Sequence, residues 1–122
     1  MEVFEQLDVW KRSSRLCVDI YQLLQPAREF GFRDQITRAA LSVSSNIAEG
    51  YERDSTKEFA RFLRIAKGSC GELRSQLYIG KEIGVFEHEA FRRLVREAGE
   101  ISKMLHGLIS KLEAKDKQLL DT

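Results

Sequence analysis

Proline is almost absent from this chain: 122 residues carry one, Pro26. A ring in place of the backbone amide ends helices, so few such stops, with 43% hydrophobic and 32% charged residues, describe a helix-rich globular chain of one domain. Cysteine is as scarce, at two, Cys17 and Cys70. Metal and redox sets come as close-spaced pairs joined by further Cys or His, so these two read as small buried hydrophobes. His88 and His106 stand apart, without a nucleophile or a metal-spaced companion, and read as surface histidines. No apolar run is long enough to span a membrane, and MEVFEQLDVWKRSS lacks the apolar stretch of a signal peptide; a cytoplasmic protein without a membrane partner is expected.

Charge of one sign is lacking too, with a net charge of +1. The balance is uneven, since residues 33–81 hold nine Lys/Arg against six Asp/Glu while the flanking segments are each slightly acidic. That excess falls well short of the dense positive charge of an evident nucleic-acid binder. Catalytic constellations are missing as well. GSCG at 68–71 has neither the Gly-Lys-Ser/Thr ending nor the preceding strand of a phosphate loop. Glu52 with Asp54, and Glu87 with Glu89, are helix-start acids that complement the macrodipole. No enzyme and no cofactor is expected.

What is present is helical periodicity. It predicts an all-α, antiparallel up-down-up-down four-helix bundle filling residues 1–122, with helices at about 8–25, 34–50, 55–83 and 87–115. In helix one, Val9, Leu16, Ile20, Leu23 and Leu24 share a face, Asp8 is the expected cap and Pro26 the stop. Phe30 and Phe32 are expected to pack under the first connection. In helix two, Ile36, Ala40, Val43 and Ile47 form a narrow face beside small residues, and Gly50 is expected to end the helix in a left-handed conformation. Ser55 followed by Glu58 is a capping-box pattern.

Helix three carries the clearest pattern. Phe59, Leu63, Ala66, Cys70, Leu73, Leu77, Gly80 and Gly84 alternate steps of four and three, the seam of a left-handed bundle. Gly68 and Gly71 inside it suggest a close helix crossing. Helix four repeats the step through Phe91, Leu94, Ala98, Ile101, Leu105, Leu108 and Leu112, and the tail KDKQLLDT is expected to fray. Lys57, Arg61, Arg64, Lys67, Arg74 and Lys81 lie beside the helix-three seam. They are candidates for phosphate contacts; equally, they form a solvated face that pairs with Glu58, Glu72 or Glu82.

The run SSNIAEG at 44–50, then EFARFLRIAKGSCGEL at 58–73 and QL at 76–77, closely resembles the four-helix bundle proteins named for the intervening sequences of 23S ribosomal RNA genes. VW at 9–10, FGFRDQITRAALSVSSN at 30–46, and Met104, Leu105, Leu108, Ile109 and Leu112 extend the likeness over nearly the whole chain. Ser44 stands where that family commonly has proline, which implies a more regular end to helix two. The resemblance implies a homo-oligomer, a ring of five bundles, as in basic relatives that accompany a reverse transcriptase and bind nucleic acid. It marks Asn46, Glu49 and Gly50 as motif residues, read here as structural: Asn46 bonding across helices and Glu49 paired with Arg38 or Arg53. The expected function is a non-enzymatic oligomeric scaffold with RNA or another nucleic acid as partner; the alternative is a purely protein-binding or structural ring. Trp10, Tyr51 and Phe62, off the seams, are the expected contacts between copies.

Overall fold

A computed structural model describes residues 3–25 and 29–120. A single 3-10 turn, Phe4–Gln6, leads into four helices: α1 (Asp8–Leu23), α2 (Phe30–Tyr51), α3 (Thr56–Glu82) and α4 (His88–Leu120). Cross-helix contacts fix the topology. Gly50 faces Phe62, Ser42 meets Ser69, and Gly80 faces Phe32, so numbers fall along α2 as they rise along α3. Arg64 with Glu113, Cys70 with Ala98, and Tyr78 with Phe91 show the same reversal for α3 and α4. Arg12 with Glu97 and Asp19 with Arg93 close the bundle between α1 and α4. The four-helix bundle read from the periodicity is the fold.

The seams pack as their spacing requires. Val9, Leu16 and Ile20 from α1 with Leu24 at its C-cap, Ile36, Ala40, Val43 and Ile47 from α2, Leu63, Ala66, Cys70, Leu73 and Leu77 from α3, and Phe91, Leu94, Ala98, Ile101 and Leu105 from α4 share one core. Fully buried Leu or Ile side chains such as Leu63 and Ile101 contribute on the order of 1.5–3 kcal/mol each. Two positions of α1 depart from expectation. Leu23 is exposed, and Ser13 fills the core register between Val9 and Leu16 by donating to the Trp10 carbonyl at 3.1 Å.

The helix ends differ more. Leu7, not Asp8, occupies the α1 N-cap and no side chain caps it; Asp8 sits in the first turn, where its charge complements the dipole. Pro26, the expected stop, lies outside the described residues, and α1 ends at Leu23. α2 begins at Phe30, earlier than expected, with the Arg33 amide bonded to the Glu29 carbonyl at 2.9 Å. Phe32 packs edge-on to Phe86 while Phe30 stays exposed, so only one of the two phenylalanines serves the connection.

α2 then runs unbroken through Ser44 and through Gly50 to Tyr51, so Gly50 is not a left-handed terminator. Among the described residues the left-handed one is Gly84, φ +81°, just past the end of α3. Ser55 caps α3 as expected by accepting from the Glu58 amide at 3.0 Å, but the Glu58 carboxylate turns to Arg61 instead of completing the box. α4 continues helically to Leu120, past the expected end, so most of the polar tail is helix.

Candidate functional site

Close approach between α2 and α3 is made by glycines other than those expected. A Cβ on Gly50 would stand 2.6 Å from the Phe62 Cβ and 3.3 Å from the Phe59 carbonyl, and one on Gly80 would meet the rings of Phe86 and Phe32 at 2.7 and 2.9 Å. Gly68 and Gly71, in contrast, have nothing within 4 Å of such an atom. They face outward from the bundle, so no crossing inside this chain explains them.

Between the two tight glycines runs a polar bridge. Asn46 Nδ2 donates to the Ser42 carbonyl at 2.8 Å and to Ser42 Oγ at 3.0 Å, and Ser42 Oγ meets Ser69 Oγ at 2.9 Å across the helix pair. The bond between helices thus belongs to Ser42, with Asn46 bracing it from behind. Glu49 takes Arg53 Nη2 at 3.0 Å, one of the partners expected, but its side chain is 55% exposed and no buried carboxylate is involved. Asn46 and Gly50 therefore serve the seam and Glu49 its outer edge.

The cations of helix three do not form one free row. Arg61 bonds Glu58 at 2.9 Å and lies over the Phe62 ring at 4.6 Å; Arg64 bonds Glu113 at 2.5 Å; Lys67 Nζ lies 3.0 Å from His106 Nδ1; Lys81 lies 4.8 Å over Phe91. Lys57 and Arg74 have no ion-pair partner among the described residues. The bond to Arg61 holds the Glu58 carboxyl below its usual value, and both stay charged. These pairs are exposed and can exchange a carboxylate for a phosphate at little cost.

Of the aromatic side chains expected between copies, Phe62 is covered within the chain, while Trp10 and Tyr51 are half-buried. Phe62 is buried beneath the Arg53 and Arg61 guanidiniums, Trp10 packs on Phe4, and Tyr51 packs edge-on to Phe59. Exposed apolar surface lies elsewhere. Along the α1/α2 face, Val18, Tyr21 and Leu41 line a cleft of about 970 Å³ that adjoins a second, about 360 Å³, bounded by Phe4, Trp10 and Ala48; both clefts share Cys17, Val18 and Leu41. Ile65 and Ile79 of α3 and Ile83 just past its end are exposed as well, Ile65 about four turns from the other two.

A feature the sequence reading missed lies between α1 and α4: a cleft of about 810 Å³ walled by Arg12, Arg15, Arg92, Arg93 and Arg96 with interspersed acids. Its signal was the spacing of Arg92 and Arg96 at i, i+4 and of Arg12 and Arg15 at i, i+3, which acids nearby in sequence cancelled in the segment charge. Burial pushes the Cys70 thiol up to about 11, with its Sγ donating to the Ala98 carbonyl at 3.2 Å, and raises Cys17 as well. Both are protonated packing residues at neutral pH. Among the described residues no group of three or more His, Cys, Asp or Glu could hold a metal ion, and no helix is long and apolar enough to cross a membrane.

Comparison with known proteins agrees with this architecture. The family profile described as 23S rRNA-intervening sequence protein matches residues 5–107. A crystal structure from Bacteroides thetaiotaomicron, described as a protein with unknown function from the S23 ribosomal protein family, superposes with a TM-score of 0.78 at 27% identity, covering 83% of this chain and 97% of that one. No curated protein matches the chain.

Proposed function

The chain belongs to the family of 23S rRNA-intervening sequence proteins, and from that premise we propose that it is a non-enzymatic cytoplasmic scaffold that assembles with copies of itself and presents cations to RNA. The observation that carries the reading is the pair of unlike apolar surfaces that the monomer leaves open. A concave one lies between α1 and α2, lined by Leu41, which is 57% exposed, and a second lies at the C-terminal end of α3, where Ile79 and Ile83 are exposed. A two-fold dimer uses one patch against itself, whereas a ring joins two different patches head to tail. Two different patches on one chain suit the ring, and five copies is the number that the family resemblance implies. With the α1/α2 cleft and the C-terminal end of α3 occupied by neighbours, the cations from Lys57 to Arg74, of which Arg64 and Lys67 reach Glu113 and His106 on α4, stay accessible. Lys57, Arg61, Arg64, Lys67 and Arg74 would then recur around the ring, each phosphate engaged adding to a salt-dependent affinity.

Two measurements test this. Light scattering at micromolar concentration should give several times the 14.1 kDa of one chain, and a monomer would refute assembly. Fluorescence anisotropy with single-stranded and duplex RNA should show binding that weakens steeply with salt and weakens again in Arg61→Gln/Arg64→Gln. An assembled protein that binds no RNA even at low salt would favour the alternative, a ring that engages protein alone.

A further inference from the structure

Three of the arginines around the α1/α4 cleft are not committed to holding the bundle together. Arg12 is committed: its Nε donates to Glu97 Oε2 at 2.9 Å, its Nη2 to the other carboxylate oxygen, and its Nη1 reaches Met104 Sδ at 3.4 Å. This forked pair raises Arg12 above its usual value and holds Glu97 below its own, so both remain charged and fix one wall. Arg93 is committed more loosely, 3.5 Å from Asp19 on the opposite wall. Glu100 turns toward Lys103, at 3.7 Å.

What is left lining the cleft is Arg15 from α1 with Arg92 and Arg96 from α4, none in an ion pair among the described residues, and one unpaired acid, Glu89. On helix three Arg61, Arg64 and Lys67 have side-chain partners, and Lys57 and Arg74 are the cations without an ion pair among the described residues. Guanidinium groups keep their charge at any working pH and offer paired donors that match the oxygens of a phosphate. Between two helices tied by the Arg12–Glu97 pair and more loosely by Asp19–Arg93, such donors line one space without first breaking a bond. Its volume of about 810 Å³ is that of a small-ligand site.

We propose that the α1/α4 cleft is a phosphate-binding site, formed by Arg15, Arg92 and Arg96 and held open by the Arg12–Glu97 pair. The phosphate is carried by a free nucleotide or by a nucleic-acid strand, and the site is independent of the helix-three cations invoked above.

Calorimetric titration of the full chain at low salt with inorganic pyrophosphate, and separately with a 5′-phosphorylated RNA oligonucleotide, tests the assignment. Arg92 and Arg96 are exposed, so Arg92→Gln/Arg96→Gln should melt like the wild type while binding its ligand at least about tenfold more weakly, the loss of one or two charge-assisted hydrogen bonds. Arg61→Gln/Arg64→Gln should bind pyrophosphate as the wild type does. Loss of both probes in the α1/α4 variant identifies a strand as a ligand, and loss of pyrophosphate alone identifies a free nucleotide. Loss of RNA alone, with pyrophosphate never bound, also supports the cleft and identifies the strand. Undiminished binding of both probes by Arg92→Gln/Arg96→Gln, equal loss of pyrophosphate in the two double variants, or no binding of either probe by the wild type overturns the site. RNA binding that survives the α1/α4 change but not the helix-three change, with pyrophosphate either never bound or bound undiminished by Arg92→Gln/Arg96→Gln, overturns the cleft and leaves the helix-three reading standing.

Discussion

Where α2 meets α3 the contact is built from Gly50, Ser42, Ser69 and Gly80; where α1 meets α4 it is built from Arg12, Glu97, Asp19 and Arg93. The first pair of helices is close enough that a methyl group would collide, and its polar atoms bond one another. The second pair stands apart around a cleft and is tied by charges near its rim. Small residues gain stability by letting backbones approach and dispersion contacts accumulate, but they leave no room for a ligand. Long charged side chains span a gap at modest net benefit and keep it open. The α2/α3 contact is therefore closed to a ligand, whereas the α1/α4 side keeps a cleft beside the shared core.

The sharpest break in that comparison comes from Gly50→Ala. Neither the Phe62 Cβ nor the Phe59 carbonyl is the end of a flexible chain, so overpacking outweighs alanine's helix preference, and urea unfolding should show a loss of about 2 kcal/mol. Ser42→Ala comes next, at about 1 kcal/mol, since Ser69 and Asn46 each lose a partner in a half-buried place. Gly68→Ala should act in the opposite direction. With nothing near its Cβ it should stabilise the monomer by up to about 1 kcal/mol, and a destabilised, dissociated protein would reveal that another copy approaches that backbone.

The smallest effect belongs to the charged side. The folded value of Glu97 is lowered, so its pairing with Arg12 contributes stability that is full above the ordinary carboxylate value of 4.5 and lost as pH falls through the lower folded value. Both side chains are about a third exposed or more, which screens the pair. The melting temperature of Glu97→Gln should accordingly lie slightly below that of the wild type at neutral pH, and the two should converge in acid below 4.5.

The core was legible in the sequence because steps of four and three put Leu63, Cys70, Leu77 and their counterparts on α4 on one side of each helix, where burial is the only low-energy outcome. Gly50 and Gly68 were not separable in that way. Glycine reads alike whether it faces a neighbouring phenylalanine or solvent, and only the rotation of the helix in the bundle decides. The same holds for Leu23 and Ser13, where turning the helix exposed a leucine and buried a serine whose hydroxyl could bond its own backbone. The cations of α3 were visible as a spaced row, but their partners Glu113 and His106 come from α4 and are distant in sequence. The α1/α4 cleft was hidden for a related reason: its arginines come from the two ends of the chain, and neither end is basic by count.

Assembly through the open α1/α2 face is the claim on which the functional reading turns, and sedimentation velocity of the wild type beside Leu41→Glu tests it most directly. Leu41 is 57% exposed in the single chain, so a glutamate there costs the monomer little. The expected result is a wild type several times 14.1 kDa and a variant that sediments as one chain while keeping its helical content and melting cooperatively. A wild type that sediments as a single chain, or a variant that assembles unchanged, would contradict it.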